Sequence, residues 1–297
     1  MKKNELAGVV VPIIVPLDDE DRVDESSFRK LIRRLIQHGV HGIFVGGTAG
    51  EGPLLTMSEW VRMMEIAYDE NKGDVPLLGG VMDTATRRVA EKIKVLSSIG
   101  YRYFVVTPTY YFTLRTADEH LRLFGECKEH NDGMEMIAYN IPSTTASTIS
   151  VETMCEMARR GWIRYCKESS EDWPYFSRLV AAGKEVGLKV LMGNETCIAD
   201  AFLAGACGVV PVCANVEPQS FVAAYQAYLR GDVAELRRCQ ERIMYIREGL
   251  VLAGSCWLAG IKYAVSRQGI GSGKLASPLQ PLTAEEKRRP EERLGLG

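Results

Sequence analysis

The sequence lacks the features that mark several classes of protein. Its 297 residues carry 36 Lys and Arg against 38 Asp and Glu, so a formal net charge of -2 leaves no basic footprint for nucleic acid. No apolar run approaches the roughly 20 residues that a membrane helix needs. The eight cysteines form no C-x-x-C pair and no zinc-type spacing, which favours a reducing compartment. We therefore expect a cytoplasmic protein with no nucleic-acid partner and no membrane partner.

Histidine is also scarce, with four in the whole chain. These histidines lie in helical patterns or just before a predicted strand, and they do not cluster at strand ends. They are His38, His41, His120 and His130. Because a catalytic metal needs several ligands close together, we expect no metal site and no metal-dependent chemistry at these histidines.

The chain does contain a regular alternation of strand-like and helical segments. Short β-branched runs recur eight times, and the helical stretches between them often end at glycine, as helix C-termini prefer. The predicted strands span residues 8–16, 42–47, 76–81, 101–108, 134–142, 163–170, 189–195 and 208–215. Eight such units favour an α/β fold, a (β/α)₈ TIM barrel, over an open doubly wound sheet.

The last part of the chain has a different pattern. No strand-like run follows residue 216, and the remaining apolar patterns are helical up to the charged end "TAEEKRRPEERLGLG". We predict a barrel catalytic domain over residues 1–231 and a small C-terminal helical extension over 232–297, with a frayed tail.

One lysine stands where such a barrel holds its active site. The segment "IRYCKESSED" (163–172) runs from an apolar, β-prone lead-in directly into Lys167, at the end of the sixth strand. Active sites of this architecture gather at the carboxyl ends of the strands. A lysine turned inward there is partly desolvated, which favours the neutral amine that attacks a carbonyl to form a Schiff base. An ammonium that reaches solvent along its stem is the alternative that this segment leaves open.

Other strand ends supply hydroxyls and backbone amides. Strand two ends in "GGTAGEG" (46–52), which has neither P-loop spacing nor a full G-x-G-x-x-G, but whose Thr48 hydroxyl and exposed amides suit a carboxylate. Strands four and five end in "TPTYY" and "YNIP". Their tyrosines either pack at the barrel mouth or pass the protons that Schiff-base chemistry requires.

Taken in order, these motifs resemble the dihydrodipicolinate synthase/N-acetylneuraminate lyase family of pyruvate-dependent class I aldolases. The segments "PIIVP", "GGTAGE", "TPTYY", "YNIP", "KESSED" and "GVVPVCANVEP" occur at the family's spacings, from residue 7 to about residue 270. The resemblance implies a lyase that needs no cofactor beyond its covalent Schiff base. It also implies a 2-oxo acid (pyruvate) and an aldehyde as small-molecule partners, and a homodimer or homotetramer.

The resemblance also assigns roles by position. Lys167 becomes the Schiff-base lysine and Tyr139 the proton-transferring tyrosine. Thr48 would link Tyr139 to a second tyrosine, Tyr110, which is inserted from the neighbouring subunit, with Tyr111 as the alternative. The amides of Thr48 and Ala49 and a backbone carbonyl near Val210 would surround the pyruvate unit.

Two departures from the family pattern bear on the substrate. Ala49 stands where the family usually has a second threonine, so one hydrogen bond to the carboxylate is missing, which is worth roughly 1 kcal/mol or somewhat more. Thr144 stands where dihydrodipicolinate synthases carry an arginine that grips the carboxylate of the aldehyde, and a threonine supplies no charged fork. We therefore expect a hydroxylated sugar acid, bound by Thr144, Ser169 and Glu195, although hydroxyls near strand ends also cap helices.

The sequence thus predicts a carbon–carbon or carbon–oxygen lyase acting on pyruvate adducts of aldehydes. Dihydrodipicolinate synthase proper and a sugar-acid dehydratase that uses the same imine are alternatives within the family. An alternative of another class is a barrel that binds a 2-oxo acid without turnover, to which the alanine at position 49 gives some weight.

Overall fold

Eight parallel strands close into a barrel in chain order in the computed structural model, which describes residues 5–296. The strands are β1 (Gly8–Pro12), β2 (Gly42–Val45), β3 (Leu77–Gly80), β4 (Tyr103–Val106), β5 (Glu135–Asn140), β6 (Ile163–Glu168), β7 (Lys189–Met192) and β8 (Gly208–Val209). The predicted α/β TIM barrel is confirmed. The predicted strands overrun the observed ones mainly at their carboxyl ends, where the chain continues into loops that no longer pair in the sheet.

Helices follow the strands and surround the barrel. They are α1 (Glu25–Gln37), α2 (Met57–Asn71), α3 (Thr86–Ile99), α4 (Ala117–Glu129), α5 (Pro142–Thr145), α6 (Val151–Arg159), α7 (Trp173–Glu185), α8 (Ile198–Ala204), α9 (Pro218–Leu229), α10 (Val233–Leu250), α11 (Trp257–Arg267) and α12 (Arg288–Leu294). Side-chain caps explain several starts: Asp24 accepts the amide of Ser27, and Thr116 forms a capping box with Glu119. Among the described residues, no helix combines the length and apolarity needed to cross a membrane.

The apolar side chains form two cores because successive strand residues point to opposite faces of the sheet. The larger core lies between the sheet and the helices. The smaller core fills the barrel interior and includes Phe44, Ile137, Tyr139, Tyr165 and Leu191. Residues two apart on β5 and β6 therefore share the interior face. By this alternation Lys167, two residues after Tyr165, also points into the barrel.

The C-terminal helices reach back to the carboxyl edge of the barrel. On α10, the Gln240 side chain donates to the carbonyl of Glu195 (2.9 Å) and accepts from the amide of Ala199 (2.9 Å). The tail that was expected to fray forms α12 and docks on α10, where the Tyr245 hydroxyl donates to the carbonyl of Arg293 (2.7 Å). Residues 1–4 and 297, the outer ends of the two predicted domains, lie outside the described residues.

Candidate active site

A cavity of about 250 Å³ opens at the carboxyl ends of the strands. It is small beside the 300–1,000 Å³ of typical drug-sized sites, which suits a small metabolite. The structure brings together in its lining every residue that the sequence analysis predicted for the site except one tyrosine. These lining residues are Thr48, Ala49, Tyr139, Thr144, Lys167, Ser169, Glu195 and Val210.

Lys167 lies inside the barrel mouth rather than in solvent. Lys167 is 7 % exposed, and the register of β5 and β6 pairs it with Tyr139. The Nζ atom lies 4.0 Å from the centroid of the Tyr139 ring and 5.2 Å from that of the Phe44 ring. Within residues 5–296, no carboxylate forms an ion pair with this amine. The site therefore holds a buried amine against two aromatic rings.

Glu168 holds the strand ends on either side of this lysine. Since it follows Lys167 on β6, its side chain points away from the barrel interior. Its Oε1 accepts from the Asn140 amide (3.0 Å) and the Ser170 backbone (2.7 Å), and its carbonyl accepts from the amide of Gly193 (2.7 Å). Burial raises the pKa of the Glu168 carboxyl. These bonds tie the ends of β5, β6 and β7 together and fix where Lys167 emerges.

The glycine after β7 leaves room for the lysine stem. A Cβ on Gly193 would lie 1.8 Å from the Ser169 Oγ and 3.1 Å from the Lys167 Cε. The Ser169 Oγ is buried and has no protein hydrogen-bond partner among the described residues. Because buried hydroxyls are normally bonded, this one is available to a ligand held beside Lys167.

The loop that carries Thr48 and Ala49 is held from the C-terminal extension. Glu51 of this loop has a left-handed backbone (φ 52°) and forms an ion pair with Lys262 of α11, with each side chain 1 % exposed. The other Glu51 oxygen accepts from the amide of Ala276 (2.8 Å). Burial lowers the pKa of the Lys262 amine. The ion pair thereby fixes the position of the loop hydroxyl and amides at the cavity.

The two candidate tyrosines after β4 lie in different surroundings. Tyr110, the one predicted residue outside the main cavity, is half-buried and lines a neighbouring cavity of about 290 Å³ that also includes Thr48 and Thr107. Burial raises the pKa of the Tyr110 hydroxyl. Tyr111 is 88 % exposed with φ 78°, and its ring meets that of Phe112 edge-on. That either tyrosine enters the site of a partner subunit stays a prediction.

Glu195 braces the loop after β8. Its Oε1 accepts from the amide of Cys213 (2.7 Å) and its Oε2 from the thiol of the same residue (3.1 Å). Burial raises the pKa of the Glu195 carboxyl. Val210 of the same region donates its amide to the carbonyl of Met192 (2.7 Å). Glu195 thus lines the cavity as predicted, but both of its oxygens already have partners.

Sequence reasoning missed a cation in the cavity lining. Arg247, near the end of α10, and Trp257, at the start of α11, line the cavity from outside the barrel. The Arg247 Nε lies 4.0 Å from the Glu195 Oε2. The signal available in the sequence is its spacing of four from Ile243 and Val251, which places it at the edge of the apolar face of α10.

Known proteins and one protein family match this chain over nearly its whole length. A family model described as the dihydrodipicolinate synthetase family matches residues 5–295. An uncharacterized DapA-like lyase of Halobacterium salinarum is 32% identical over 284 residues, which are 95% of this chain and 91% of that protein. A 4-hydroxy-tetrahydrodipicolinate synthase of Methylobacterium radiotolerans is 31% identical, covering 97% and 94%. The solved dihydrodipicolinate synthase of Bacteroides thetaiotaomicron superposes with a TM-score of 0.92 at 29% identity, covering 98% of each chain.

Proposed function

Since the chain belongs to the dihydrodipicolinate synthetase family and is a lyase of the class I aldolase type, we propose that Lys167 forms a Schiff base with pyruvate. The observation that carries the proposal is the buried Lys167 amine, which lies against the Tyr139 ring in the cavity at the carboxyl edge of the barrel. The neutral amine attacks the 2-oxo carbon, and the loss of water then gives the imine.

The imine makes the next carbon–carbon bond breakable. When the imine is protonated at nitrogen, it accepts the electron pair of the C3–C4 bond and becomes an enamine. The C4 hydroxyl loses its proton, and its oxygen becomes the carbonyl oxygen of the departing aldehyde. We assign this proton transfer to Tyr139, whose ring lies beside the lysine, and the orientation of its phenol to Thr48, which lines the same cavity. Protonation of the enamine at C3 and hydrolysis release pyruvate, and the reverse sequence joins pyruvate to an aldehyde.

The carboxylate of the pyruvate unit would lie on the loop after β2. The Thr48 hydroxyl and the amides of Thr48 and Ala49 supply donors there, and the unpartnered Ser169 hydroxyl supplies another near Lys167. A hydrogen bond to a charged group contributes about 1.5–3 kcal/mol. The Ser169 hydroxyl, just after β6, adds one donor on the side of the cavity that carries Lys167.

The remaining lining supports a hydroxylated 2-oxo acid as the substrate. Ser143 and Thr144 border the cavity with hydroxyls. Thr144 occupies the position at which dihydrodipicolinate synthases carry the arginine for the carboxylate of the aldehyde. The exposed Tyr111 and Phe112 pair is an apolar surface that suits a second copy of the chain, so we propose a homo-oligomer, a dimer or a tetramer.

A coupled assay for pyruvate release tests this function. We expect at least one hydroxylated 2-oxo acid of a sugar-derived panel to be cleaved, and we expect the variant Lys167→Met to release none. Pyruvate trapping without turnover on the whole panel would favour a binding protein instead. If aspartate semialdehyde condensed with pyruvate more efficiently than any panel aldehyde, the sugar-acid assignment would fail while the imine chemistry stood.

A further inference from the structure

The arginine in the cavity lining has few partners of its own. The Arg247 side chain is 22 % exposed and borders the same cavity as Lys167. In the part of the chain that the structure describes, its charged neighbour is the Glu195 Oε2 at 4.0 Å. Both Glu195 oxygens already accept from Cys213. The planar guanidinium with its five donors therefore faces the cavity with most of them unused.

We infer that Arg247 binds a second carboxylate at the end of the substrate away from Lys167, so that the enzyme acts on 2-oxo diacids. The inference rests on the proposed function, in which Lys167 holds the 2-oxo end. A guanidinium matches a planar carboxylate with two parallel hydrogen bonds. A single guanidinium in a small cavity matches a carboxylate better than a phosphate, because a phosphate has more oxygen atoms that need hydrogen-bond donors.

Burial of the arginine supports the same conclusion. A guanidinium taken largely out of water is costly unless an anion pairs with it. Glu195 does not satisfy it, because the Arg247 Nε and the Glu195 Oε2 are 4.0 Å apart, too far for a hydrogen bond. Arg247 on α10 thus supplies the positive charge that Thr144 cannot. It would contact the distal part of the substrate from the C-terminal extension.

A matched pair of 2-oxo acids tests this directly. 2-Oxoglutarate and 2-oxopentanoate have the same five-carbon chain and differ in a terminal carboxylate against a methyl group. Both would form the imine with Lys167, and borohydride reduction would trap it. We expect half-saturation of trapping at roughly ten- to hundredfold lower concentration for the diacid. The six-carbon pair, 2-oxoadipate and 2-oxohexanoate, tests the case in which the Arg247 guanidinium lies one carbon farther from the imine.

Variants assign any preference to the arginine. Arg247→Met should bring the two acids to the same half-saturating concentration, and Arg247→Lys should keep part of the difference because it retains charge without the fork. The ratio within one variant cancels a general loss of activity. Arg238→Met is the matched control, since Arg238 lies on the same helix in an exposed ion pair with Glu235, and it should keep the wild-type ratio. If Arg247→Met does not fold, a wild-type preference that shrinks at high salt still identifies a charge contact.

The outcomes separate this inference from the function beneath it. Trapping of both acids at equal concentration by the wild type, in both length pairs, would overturn the diacid inference and leave the Lys167 chemistry in place. A preference that survives in Arg247→Met would also overturn it. If neither acid is trapped although pyruvate is, calorimetric binding of the same pair to wild type and Arg247→Met decides whether Arg247 binds a carboxylate, and equal binding of the two acids to the wild type would overturn the inference. Failure to trap pyruvate itself would overturn the proposed function instead.

Discussion

Replacement of Gly193 by alanine tests the packing around the lysine. The new Cβ would lie 1.8 Å from the Ser169 Oγ, 2.9 Å from the Glu168 carbonyl oxygen and 3.1 Å from the Lys167 Cε. The serine hydroxyl can rotate away, but the carbonyl belongs to the backbone and accepts the amide of Gly193 itself. The alanine therefore has to push the end of β6, and the lysine with it.

The magnitude follows from general costs of overpacking. Forcing an extra methyl group into a packed site costs about 1–3 kcal/mol. With about 2–4 °C of thermal midpoint per kcal/mol in a large domain, the midpoint should fall by several degrees. Misplacement of a reacting group by about 1 Å can lower its rate by about 10²-fold. We therefore expect Gly193→Ala to slow pyruvate trapping far more than its modest loss of stability suggests.

The assay compares Gly193→Ala with Ser169→Ala and with the double variant. Removing the Ser169 hydroxyl relieves the closest contact, so the double variant should regain part of the lost thermal midpoint over Gly193→Ala alone. The carbonyl contact remains, so recovery should be incomplete. A Gly193→Ala protein with the wild-type midpoint and the wild-type rate of trapping would refute the claim that this glycine makes room for the lysine.

Two further substitutions test proton transfer and the support of the loop after β2. Tyr139→Phe keeps the ring under the lysine and removes the hydroxyl, so kcat should fall by about 10²-fold or more with the fold intact by circular dichroism; near-normal turnover would make Tyr139 a packing residue. Lys262→Met leaves the Glu51 carboxylate buried and unpaired, which costs about 3–5 kcal/mol, so the thermal midpoint should fall by on the order of 10 °C. The double variant with Glu51→Gln should recover part of that loss, and no change in Lys262→Met would refute the role of the ion pair.

Much of the fold and site could be predicted because the signals are local. Eight β-branched runs with helices between them define the barrel, and the carboxyl ends of those runs carry Thr48, Tyr139 and Lys167. Alternation along β6 then explains why Lys167 points inward above Tyr165. A short motif at a strand end is enough to place a side chain at the mouth when the architecture is known.

The parts that sequence reasoning missed depend on contacts between distant segments. Arg247 is one of several arginines on an amphipathic helix, and only the packing of α10 against the barrel edge brings it to the cavity. The ion pair of Glu51 and Lys262 joins residues 211 positions apart. The tail helix α12 is held on α10 by hydrogen bonds of Arg293 with Tyr245 and Glu248. Of these features, the spacing of Arg247 alone leaves a periodic signal in the sequence, and that signal does not say which segment its helix packs against.

Borohydride trapping of pyruvate with peptide mapping tests the central claim most directly. The account predicts one reduced pyruvate adduct per chain, on the peptide that contains Lys167, and no adduct in Lys167→Met with its fold intact. An unmodified wild-type protein under saturating pyruvate, or an adduct that persists in Lys167→Met, would contradict it.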